Sequence, residues 1–514
     1  MDTPTEVELK LLIDPADIPE LRRHPLLKML CPGGPTTRRL LSTYFDTDDF
    51  ALRNNGVALR VRRDGRKWIQ TVKGGGSVQA GLHQRDEWEA PVTRNAPDFT
   101  KITDPGLIGL FAAEELRQRL RPAFTTEFTR TAWLLETESG DRIEMALDRG
   151  EIRAGQAHSP IFEVELELKA GNPAALFELA LALQETVPLR AENASKAERG
   201  YLLCGPQTAL LPAKAALSKV TRGMSVDEAF RSIAWNCIGQ LQDNQARLQQ
   251  NYDAEYIHQM RVAVRRLRSA LGLFAAAAPG IRNTFLIEEL RWLSGQLGAA
   301  RDWDIFLAEI LPPVTAALPR DEGLDWLQHR AARLREKGRK QAREAAATQR
   351  FHKLLLTLGG WLWREPWRGT AADAKLDQPV AAFARSMLTK RHRQLYRRSR
   401  GLASFTLEQH HMLRIAAKKL RYAIEFFSGL YPRRLAKRYL EVLTDLQDEL
   451  GALNDHAVAR RLLTQVGTGG RDVLRNRAIG VIFGWNACET RGRLAGMTQA
   501  WRNFKRKKIF WGKG

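Results

Sequence analysis

The feature that most constrains the fold is an internal repeat in the second half of the chain. The segment His258–Arg268 matches His411–Arg421, and Leu293–Asp302 matches Leu446–Asp455, both at an offset of 153 residues. Two ordered matches at one offset argue for duplication rather than chance. Stretches rich in Ala, Leu, Arg and Glu with a period near 3.6 surround both copies. The repeat therefore predicts a duplicated helical bundle with pseudo-twofold symmetry.

The first 200 residues have a different period. Apolar and polar residues alternate over about eight short segments, and turn residues such as Asn54–Gly56 and Gly74–Gly76 separate them. This pattern predicts an antiparallel barrel or a sandwich. We therefore expect an α+β chain with a strand-rich domain over residues 1–205, a linker over 206–215, a helical domain over 216–505 and a basic tail over 506–514.

Charge divides the chain in the same way. The 514 residues carry a net charge of +22, but residues 1–210 contain 27 Lys and Arg against 31 Asp and Glu. The helical half thus carries the whole positive excess and should attract a polyanion, whether nucleic acid, polyphosphate or an anionic membrane.

No apolar run reaches about 18 residues, the start lacks a signal-peptide pattern, and the four cysteines are scattered. We expect a cytoplasmic protein without a transmembrane segment or structural zinc.

Charged residues share one face of several predicted strands. Glu6, Glu8 and Lys10 point to one side of the first strand, and Glu163, Glu165 and Glu167 to one side of the last. Any single strand of this kind is usually a solvated outer face. The combination of acidic and basic faces instead favours a polar interior that holds a ligand. Carboxylates bind hard divalent cations, and Arg and Lys bind phosphate, which are the groups that phosphoryl transfer needs.

A second charged pattern occurs in both helical copies. On a helical wheel His258, Arg261, Arg265 and Arg268 form one stripe opposite an apolar stripe, and the second copy repeats it. A solvated surface is the common explanation of such a stripe. Few acidic residues stand at the spacings that would compensate these cations, so we favour an anion-binding role. Nothing in the pattern predicts catalysis by histidine.

The strand half resembles the CYTH superfamily, the triphosphate tunnel metalloenzymes. The resemblance starts with the ExExK motif at Glu6–Lys10 and spans residues 1–205. Further motifs follow in order at Tyr44–Thr47, Leu59–Arg62, Thr71–Lys73, Arg85–Glu87, Leu147–Gly150, Phe162–Leu168 and Ser195–Gly200.

This resemblance implies an eight-stranded antiparallel tunnel that binds a triphosphate together with Mg²⁺ or Mn²⁺. It implies metal ligands at Glu6, Glu8, Asp148, Glu163, Glu165 and Glu167. It also implies a catalytic set that combines Glu6 and Glu8 with cations on the phosphates at Lys10, Arg60, Arg62, Lys73, Arg85, Arg130 and Lys196.

The helical half resembles the CHAD domain over residues 216–505, through both repeat copies. The second copy departs from the first where Asn454 replaces Arg301 and Ala457 replaces Asp304. The resemblance implies two four-helix bundles around a basic, polyphosphate-binding cavity and association with polyphosphate granules. The residues expected to bind polyphosphate are His258, Arg261, Arg265, Arg266, Arg268, His411, Arg414, Lys418, Lys419, Arg421, Lys390 and Arg393.

The sequence thus predicts a metal-dependent inorganic triphosphatase that hydrolyses tripolyphosphate to pyrophosphate and phosphate. Water positioned by metal or carboxylate would attack a terminal phosphorus, and the CHAD half would bind inorganic polyphosphate. Three alternatives remain. The chain could be a non-catalytic polyphosphate-binding or granule-associated protein with a CYTH sensor, a nucleic-acid-binding protein, or an adenylyl cyclase. The resemblance implies a triphosphate substrate, but it does not say whether that substrate carries an organic group or which one.

Overall fold

The computed structural model describes residues 5–31, 33–205, 211–216, 219–402, 405–467 and 472–512. It divides the chain into two compact units. The first contains residues 1–210 and 349–365, and the second contains residues 211–348 and 366–514. The order of a strand-rich part and a helical part agrees with the predicted fold class. Residues 349–365, which the sequence analysis assigned to the helical domain, instead belong to the first unit.

The first unit is built on an antiparallel barrel. The sheet order is β5-β4-β3-β2-β6-β7-β8-β1-β9, and β1 also pairs with β5, so the first eight strands close on themselves. Closure brings Glu6 opposite Arg85 and selects the barrel over the sandwich. The strands are β1 (Thr5–Ile13), β2 (Thr36–Asp46), β3 (Val57–Asp64), β4 (Lys67–Gln79), β5 (Leu82–Val92), β6 (Arg121–Glu136), β7 (Arg142–Ala154), β8 (Ala157–Ala170) and the short β9 (Leu189–Ala191).

The barrel turns its charged face inward and much of its apolar face outward under helices. Leu9 and Leu11 of β1 and Val164 and Leu166 of β8 are fully buried, and their strands contact α6. The alternating pattern therefore places Glu8 and Lys10 in the interior. The helices of this unit are α1 (Ile18–Arg23), α2 (Pro25–Leu30), α3 (Ala51–Asn54), α4 (Pro105–Phe111), α5 (Glu114–Arg119), α6 (Ala174–Leu183), α7 (Lys196–Cys204) and α14 (Gln349–Arg364).

Helix α14 covers α6 and β9, although it lies between the two repeat copies in sequence. Nine of its sixteen residues are buried. Two glycines let α14 approach α6 closely, because a Cβ on Gly359 would lie 2.4 Å from Cε1 of the fully buried Phe177. Lys353 also pairs with Glu185 at 2.5 Å. A helix from the second half of the chain thus completes the packing of the first unit.

We expect Gly359→Ala to destabilise the first unit by about 1–3 kcal/mol, since overpacking at Phe177 outweighs the better helix propensity of alanine. Gly480→Ala is the matched control. Gly480 also lies in a helix interior, but a Cβ there would meet nothing within 4 Å, so this change should raise the free energy of unfolding by about 0.5–1 kcal/mol. Urea denaturation measures both. Equal stabilisation by the two changes would contradict the close α6–α14 contact.

The second unit is helical, and its long helices begin with sequence-encoded caps. Ser225 with Glu228 forms a capping box at α8, and Thr406 with Gln409 forms one at α17. Helices α9 and α17 carry the two repeat copies and pack against each other. The helices are α8 (Val226–Gln250), α9 (Ala254–Phe274), α10 (Thr284–Gln296), α11 (Gly298–Ile305), α12 (Leu311–Ala317), α13 (Glu322–Ala347), α15 (Asp373–Leu376), α16 (Val380–Arg398), α17 (Leu407–Phe427), α18 (Arg433–Gly467) and α19 (Val473–Arg506).

The aromatic residues near the carboxyl end are packed rather than solvated. Trp511 is 1% exposed and donates its indole N–H to Thr389 Oγ1 at 3.3 Å. Phe504 is fully buried against Tyr439. These contacts tie the segment to the helical unit, and the buried Trp501, Phe504 and Trp511 are part of the core of that unit. Within the described ranges, no helix is long and apolar enough to span a membrane.

Candidate functional sites

A cavity of about 300 Å³ runs inside the barrel, and charged side chains form most of its wall. All eight strands of the barrel contribute these side chains through their period-two alternation, and the start of α7 adds Lys196. The structure brings together eleven of the sequence-predicted tunnel residues in this wall, namely Glu6, Glu8, Lys10, Arg60, Arg62, Lys73, Arg85, Arg130, Glu165, Glu167 and Lys196. These side chains therefore share one cavity, and the roles that the sequence analysis gave them stay predictions.

Glu165 lies at the centre of a buried ion network. Lys10 Nζ lies 2.6 Å from Glu165 Oε1 and 2.7 Å from Glu8 Oε1. Lys196 Nζ contacts Glu165 Oε1 at 2.9 Å, and Arg130 Nη2 pairs with Glu165 Oε2. Three cations therefore converge on one carboxylate, and a polyanion entering the cavity would meet them together.

A second ion network lies across β3, β4 and β5. Lys73 Nζ pairs with Glu6 and lies 3.3 Å from Glu87 Oε2. Arg60 Nη2 lies 3.4 Å from Glu87 Oε1. Arg85 at the mouth of the cavity pairs with the half-exposed Glu198 at 3.4 Å. Acidic and basic groups are thus interleaved around the wall rather than separated into two halves.

Arg62 differs from its neighbours because no carboxylate among the described residues pairs with it. Its Nε donates to Ser42 Oγ at 3.3 Å. Burial and the nearby charges of Arg60 and Arg130 lower the pKa of Arg62 to about 10. A cation held in place among like charges is stabilised by a bound anion, so Arg62 is well placed to accept phosphate oxygens.

The pKa values in the tunnel favour the charged forms of both the acidic and the basic side chains. Burial alone would raise the pKa of Glu165, but Lys10, Lys196 and Arg130 outweigh it and hold that pKa well below its usual range. The carboxylates in turn raise the pKa of Lys10 and of Lys196 against the effect of burial. At neutral pH Glu165, Lys10 and Lys196 are therefore all ionised.

Asp148 and Glu163 do not line the cavity. Asp148 is fully buried and binds Arg130 through two hydrogen bonds of 2.8 and 2.7 Å. Glu163, 1% exposed, pairs with Lys196 at 2.7 Å and with Arg199. Both carboxylates hold cations from behind the wall, and their assignment as metal ligands stays a prediction.

The sequence analysis gave no role to two residues that belong to this site. Tyr44 lines the cavity, and Arg60 and Arg62 lower the pKa of its hydroxyl against the effect of burial. Arg199 anchors Glu163 through its Nη1. Both residues lie inside the quoted motifs, so the motifs could have indicated them, but spacing alone gives them no role.

The carboxylates of the wall suit a hard divalent cation by their chemistry. Glu6, Glu8, Glu165 and Glu167 offer only oxygen ligands, which Mg²⁺ and Mn²⁺ prefer. Over the part of the chain that the structure describes, no three acidic, His or Cys side chains already form a metal-binding cluster. Most of these oxygens face Lys or Arg, so a metal would compete with the ion pairs, and a phosphate ligand would take over the released cations.

A second candidate site lies in the helical unit, where the two repeat copies meet. The charges of Arg265 from α9 and of Arg414 and Arg421 from α17 all act on Lys418, and with its burial they lower its pKa to about 6. Burial, Arg265 and Arg301 likewise lower the pKa of Arg261 to about 10. Cations from both copies therefore share one partly buried surface, which we call the cationic cleft.

The two copies shape the cleft with equivalent glycines. A Cβ on Gly298 would lie 3.2 Å from Arg261 Nη1, and one on Gly451 would lie 4.0 Å from Arg414 Nη2. The histidines differ between the copies. His411 Nδ1 lies 2.8 Å from Asn454 Oδ1. Burial and Arg301 instead lower the pKa of His258 to about 4, so His258 is neutral at pH 7.

Five predicted polyphosphate-binding residues lie apart from this cleft. Arg266 is 2% exposed, and its guanidinium donates to Gln240 and Asn236 at 2.8 and 3.0 Å. The structure therefore makes Arg266 a packing residue, which corrects the expectation that it contacts a ligand. The charges that act on Lys419 come from Arg268, Arg282, Arg391 and Arg398, a different cationic group. Lys390 and Arg393 are exposed on α16.

The comparisons with known proteins match the strand-rich part and the helical part of the chain to two different families. The CYTH domain model matches residues 4–201, and the CHAD domain model matches residues 232–464. The chain therefore contains a CYTH domain followed by a CHAD domain.

Individual relatives agree with this assignment. An inorganic triphosphatase of Haemophilus influenzae is 36% identical over 208 residues, which are 39% of this chain and 56% of the relative. An uncharacterized protein of Mycobacterium tuberculosis is 25% identical over 469 residues, 85% of this chain and 84% of that protein. The crystal structure of the CHAD domain from the plant Ricinus communis is 34% identical with a TM-score of 0.50, covering 57% of this chain and 96% of that domain. The chain thus spans about half the length of its triphosphatase relative.

Proposed function

We propose that the barrel is a metal-dependent inorganic triphosphatase that converts tripolyphosphate and water to pyrophosphate and phosphate. The observation that carries this proposal is the convergence of Lys10, Arg130 and Lys196 on Glu165 inside the cavity of the closed barrel. Such a cavity offers cations to phosphate oxygens and carboxylate oxygens to a metal. The similarity to an inorganic triphosphatase over the same residues supports the same chemistry.

The residues of the chain would act mainly by charge and position. Arg62, Lys10, Arg130 and Lys196 would hold the phosphates in line and stabilise the charge of the transition state. A carboxylate of the cavity wall would orient water toward the terminal phosphorus and accept its proton. The new P–O bond forms as the P–O–P bridge breaks, and pyrophosphate leaves. Asp148 and Glu163 would act as positioning residues for Arg130 and Lys196.

The metal would be held by the carboxylates of the cavity wall, above all Glu6 and Glu8. When bound, Mg²⁺ or Mn²⁺ would neutralise phosphate charge and favour ionisation of water. Because Glu6 pairs with Lys73 and Glu8 with Lys10, metal and phosphate should bind cooperatively. The metal would take the place of the lysines as the partner of the two carboxylates, and the phosphates would take the place of the carboxylates as the partners of the two lysines.

The lining of the tunnel favours an inorganic substrate. Among the described residues of its wall, Tyr44 is the one aromatic side chain, and it is 4% exposed. A nucleobase or thiazolium ring would find little surface to stack on. This argues against an adenylyl cyclase.

The test is phosphate release by the full chain from tripolyphosphate, ATP, thiamine triphosphate and long-chain polyphosphate, each with Mg²⁺ or Mn²⁺. We expect release from tripolyphosphate to be fastest and to stop when the metal is chelated. Absence of release from all four substrates, with polyphosphate binding intact, would support the alternative of a non-catalytic polyphosphate receptor.

We also propose that the cationic cleft binds inorganic polyphosphate. The support is the mutual repulsion among Arg265, Arg414, Arg421 and Lys418, which a linear polyanion would relieve. Binding of nucleic acid would relieve it too. Competition between DNA and polyphosphate at equal ionic strength separates the two, because both bindings weaken with salt. Binding of polyphosphate granules would follow from the same cleft.

Lys418 should make polyphosphate binding depend on pH. With a pKa of about 6, its amine is mostly neutral at pH 7.5 in the free protein. A bound polyanion raises that pKa, because it favours the ammonium form, so binding takes up as much as about one proton. Calorimetry in two buffers of different ionisation enthalpy measures this uptake. Lys418→Met should reduce it, and an unchanged uptake would contradict the role of Lys418. Affinity should fall as the pH rises.

A further inference from the structure

Next to the tunnel cavity lies a second cavity of about 390 Å³. The two have Ala58, Lys73, Arg85, Ser195 and Ala197 in common in their walls, so they adjoin each other. The part that belongs to the second cavity alone includes Arg53, Gly74–Ser77, Glu198 and Tyr201, and we call it the vestibule.

The vestibule carries a cation that the tunnel network does not use. The guanidinium carbon of Arg53 lies 5.3 Å from the ring centre of Tyr201 and 5.8 Å from that of Phe50. No carboxylate of the described residues forms an ion pair with Arg53. The guanidinium of Arg53 is therefore positioned by cation–π contacts with these two rings, and its hydrogen-bond donors remain available to an anion. Lys73 and Arg85 add positive charge, against the single carboxylate of Glu198.

Backbone rather than side chains forms one wall of the vestibule. The pairing of β4 with β5 is interrupted between Gly74 and Ser77, and Gly75 and Gly76 have φ of +65° and +90°. A Cβ on Gly76 would lie 2.0 Å from the carbonyl oxygen of Gln84. Glycine is therefore required at Gly76 by the close approach of the β5 backbone, and the vestibule is lined there by residues without side chains.

We propose that the vestibule binds the phosphate groups of a linear condensed phosphate beyond the three that the tunnel holds. The substrates of the tunnel would then include tetrapolyphosphate and longer chains, shortened from one end. This inference rests on the proposed triphosphatase function. A narrow, flexible chain with a negative charge on every phosphate fits a passage that continues the cationic wall from Lys73 and Arg85 to Arg53.

The test compares Arg53→Ala and Arg53→Lys with the unmodified full-length protein. Initial rates of phosphate release are measured on tripolyphosphate, tetrapolyphosphate and ATP with the same divalent cation. We expect Arg53→Ala to raise the KM for tetrapolyphosphate by about tenfold, the worth of one charge-assisted hydrogen bond. Its KM for tripolyphosphate should stay within about twofold, since three phosphates fit the tunnel. Arg53→Lys keeps the charge and should restore most of the loss.

Three results would overturn the proposal. An equal effect on tripolyphosphate and tetrapolyphosphate would make Arg53 part of the tunnel or of its stability, which thermal melting of the variant checks. An effect on ATP alone would make the vestibule a pocket for an organic group. No effect on any substrate would leave Arg53 without a role in binding.

Failure of the triphosphatase function would be seen separately, as absence of turnover by the unmodified protein. In that case equilibrium binding decides the inference. Calorimetry with tripolyphosphate and tetrapolyphosphate would use an Arg265→Gln, Arg414→Gln background, in which the cationic cleft is weakened. Arg53→Ala should then lower the affinity for tetrapolyphosphate by about tenfold and spare tripolyphosphate. Equal affinities for both ligands would contradict the vestibule.

Discussion

Replacing Glu6 and Glu8 together with glutamine is expected to lower phosphate release from tripolyphosphate by at least about a thousandfold, because the acidic oxygens that would hold the metal are lost. The fold should survive. Lys73 keeps Glu87 at 3.3 Å, and Lys10 keeps Glu165 at 2.6 Å. Neither lysine is left as an unpaired buried charge, so the free energy of unfolding should change little.

Glu151→Gln is the matched control for this pair. Glu151 lies on β7 with the parity opposite to that of Asp148, and it pairs with Arg153 on the outer face. Its loss should leave the rate within about twofold, as is usual for surface ion pairs. Substantial metal-dependent turnover in the Glu6, Glu8 variant would contradict the assignment of these residues.

Lys196→Met is expected to lower the free energy of unfolding by about 3–5 kcal/mol at pH 7, because it removes one partner from a buried ion network. The Lys196 side chain is 8% exposed and its Nζ lies within 2.9 Å of Asp148, Glu163 and Glu165. Phosphate release should also fall by about a hundredfold or more, since one cation on the phosphates is lost. Lys169→Met, which breaks only the exposed pair with Glu167, should cost less than about 1 kcal/mol.

The cost of Lys196→Met should depend on pH in a defined direction. The pKa values of Asp148 and Glu165 are lowered in the folded protein, so the stability they contribute is present at neutral pH and is lost in acid. The pKa of Lys196 is raised, so its contribution persists until the pH exceeds the ordinary value of 10.5. The difference between variant and unmodified protein should therefore be largest between about pH 5 and 10. Urea denaturation at pH 7 and pH 4 checks this, and an equal difference at both values would contradict it.

Much of the tunnel could be predicted from the sequence because side-chain direction in a strand has a strict period. Alternation at Glu6–Lys10 and Glu163–Glu167 was enough to group the charged side chains on one face. Alternation does not reveal whether a sheet closes. That depends on the pairing of β1 with β5, where residues such as Glu6 and Arg85 are far apart in sequence. Nor does it reveal that Asp148 is fully buried while Glu165 lines the cavity.

The helical half shows a different limit. Periodicity identified α9 and α17 and their cationic stripes. It does not show whether a residue at the edge of a stripe packs against another helix or faces a ligand. Arg266 lies beside the stripe on the helical wheel, yet it packs against amides of α8. Helix α14 has a clear apolar face, and its sequence gives no sign that this face covers the first unit rather than the second. Both outcomes depend on tertiary packing.

The most direct test of the central claim is ³¹P nuclear magnetic resonance of tripolyphosphate incubated with the purified full-length protein and Mg²⁺ or Mn²⁺. The account predicts that phosphate and pyrophosphate appear in equal amounts, that chelation stops the reaction, and that the Glu6→Gln, Glu8→Gln variant shows neither product. Tripolyphosphate that stays intact with the folded, metal-supplied protein would contradict the account.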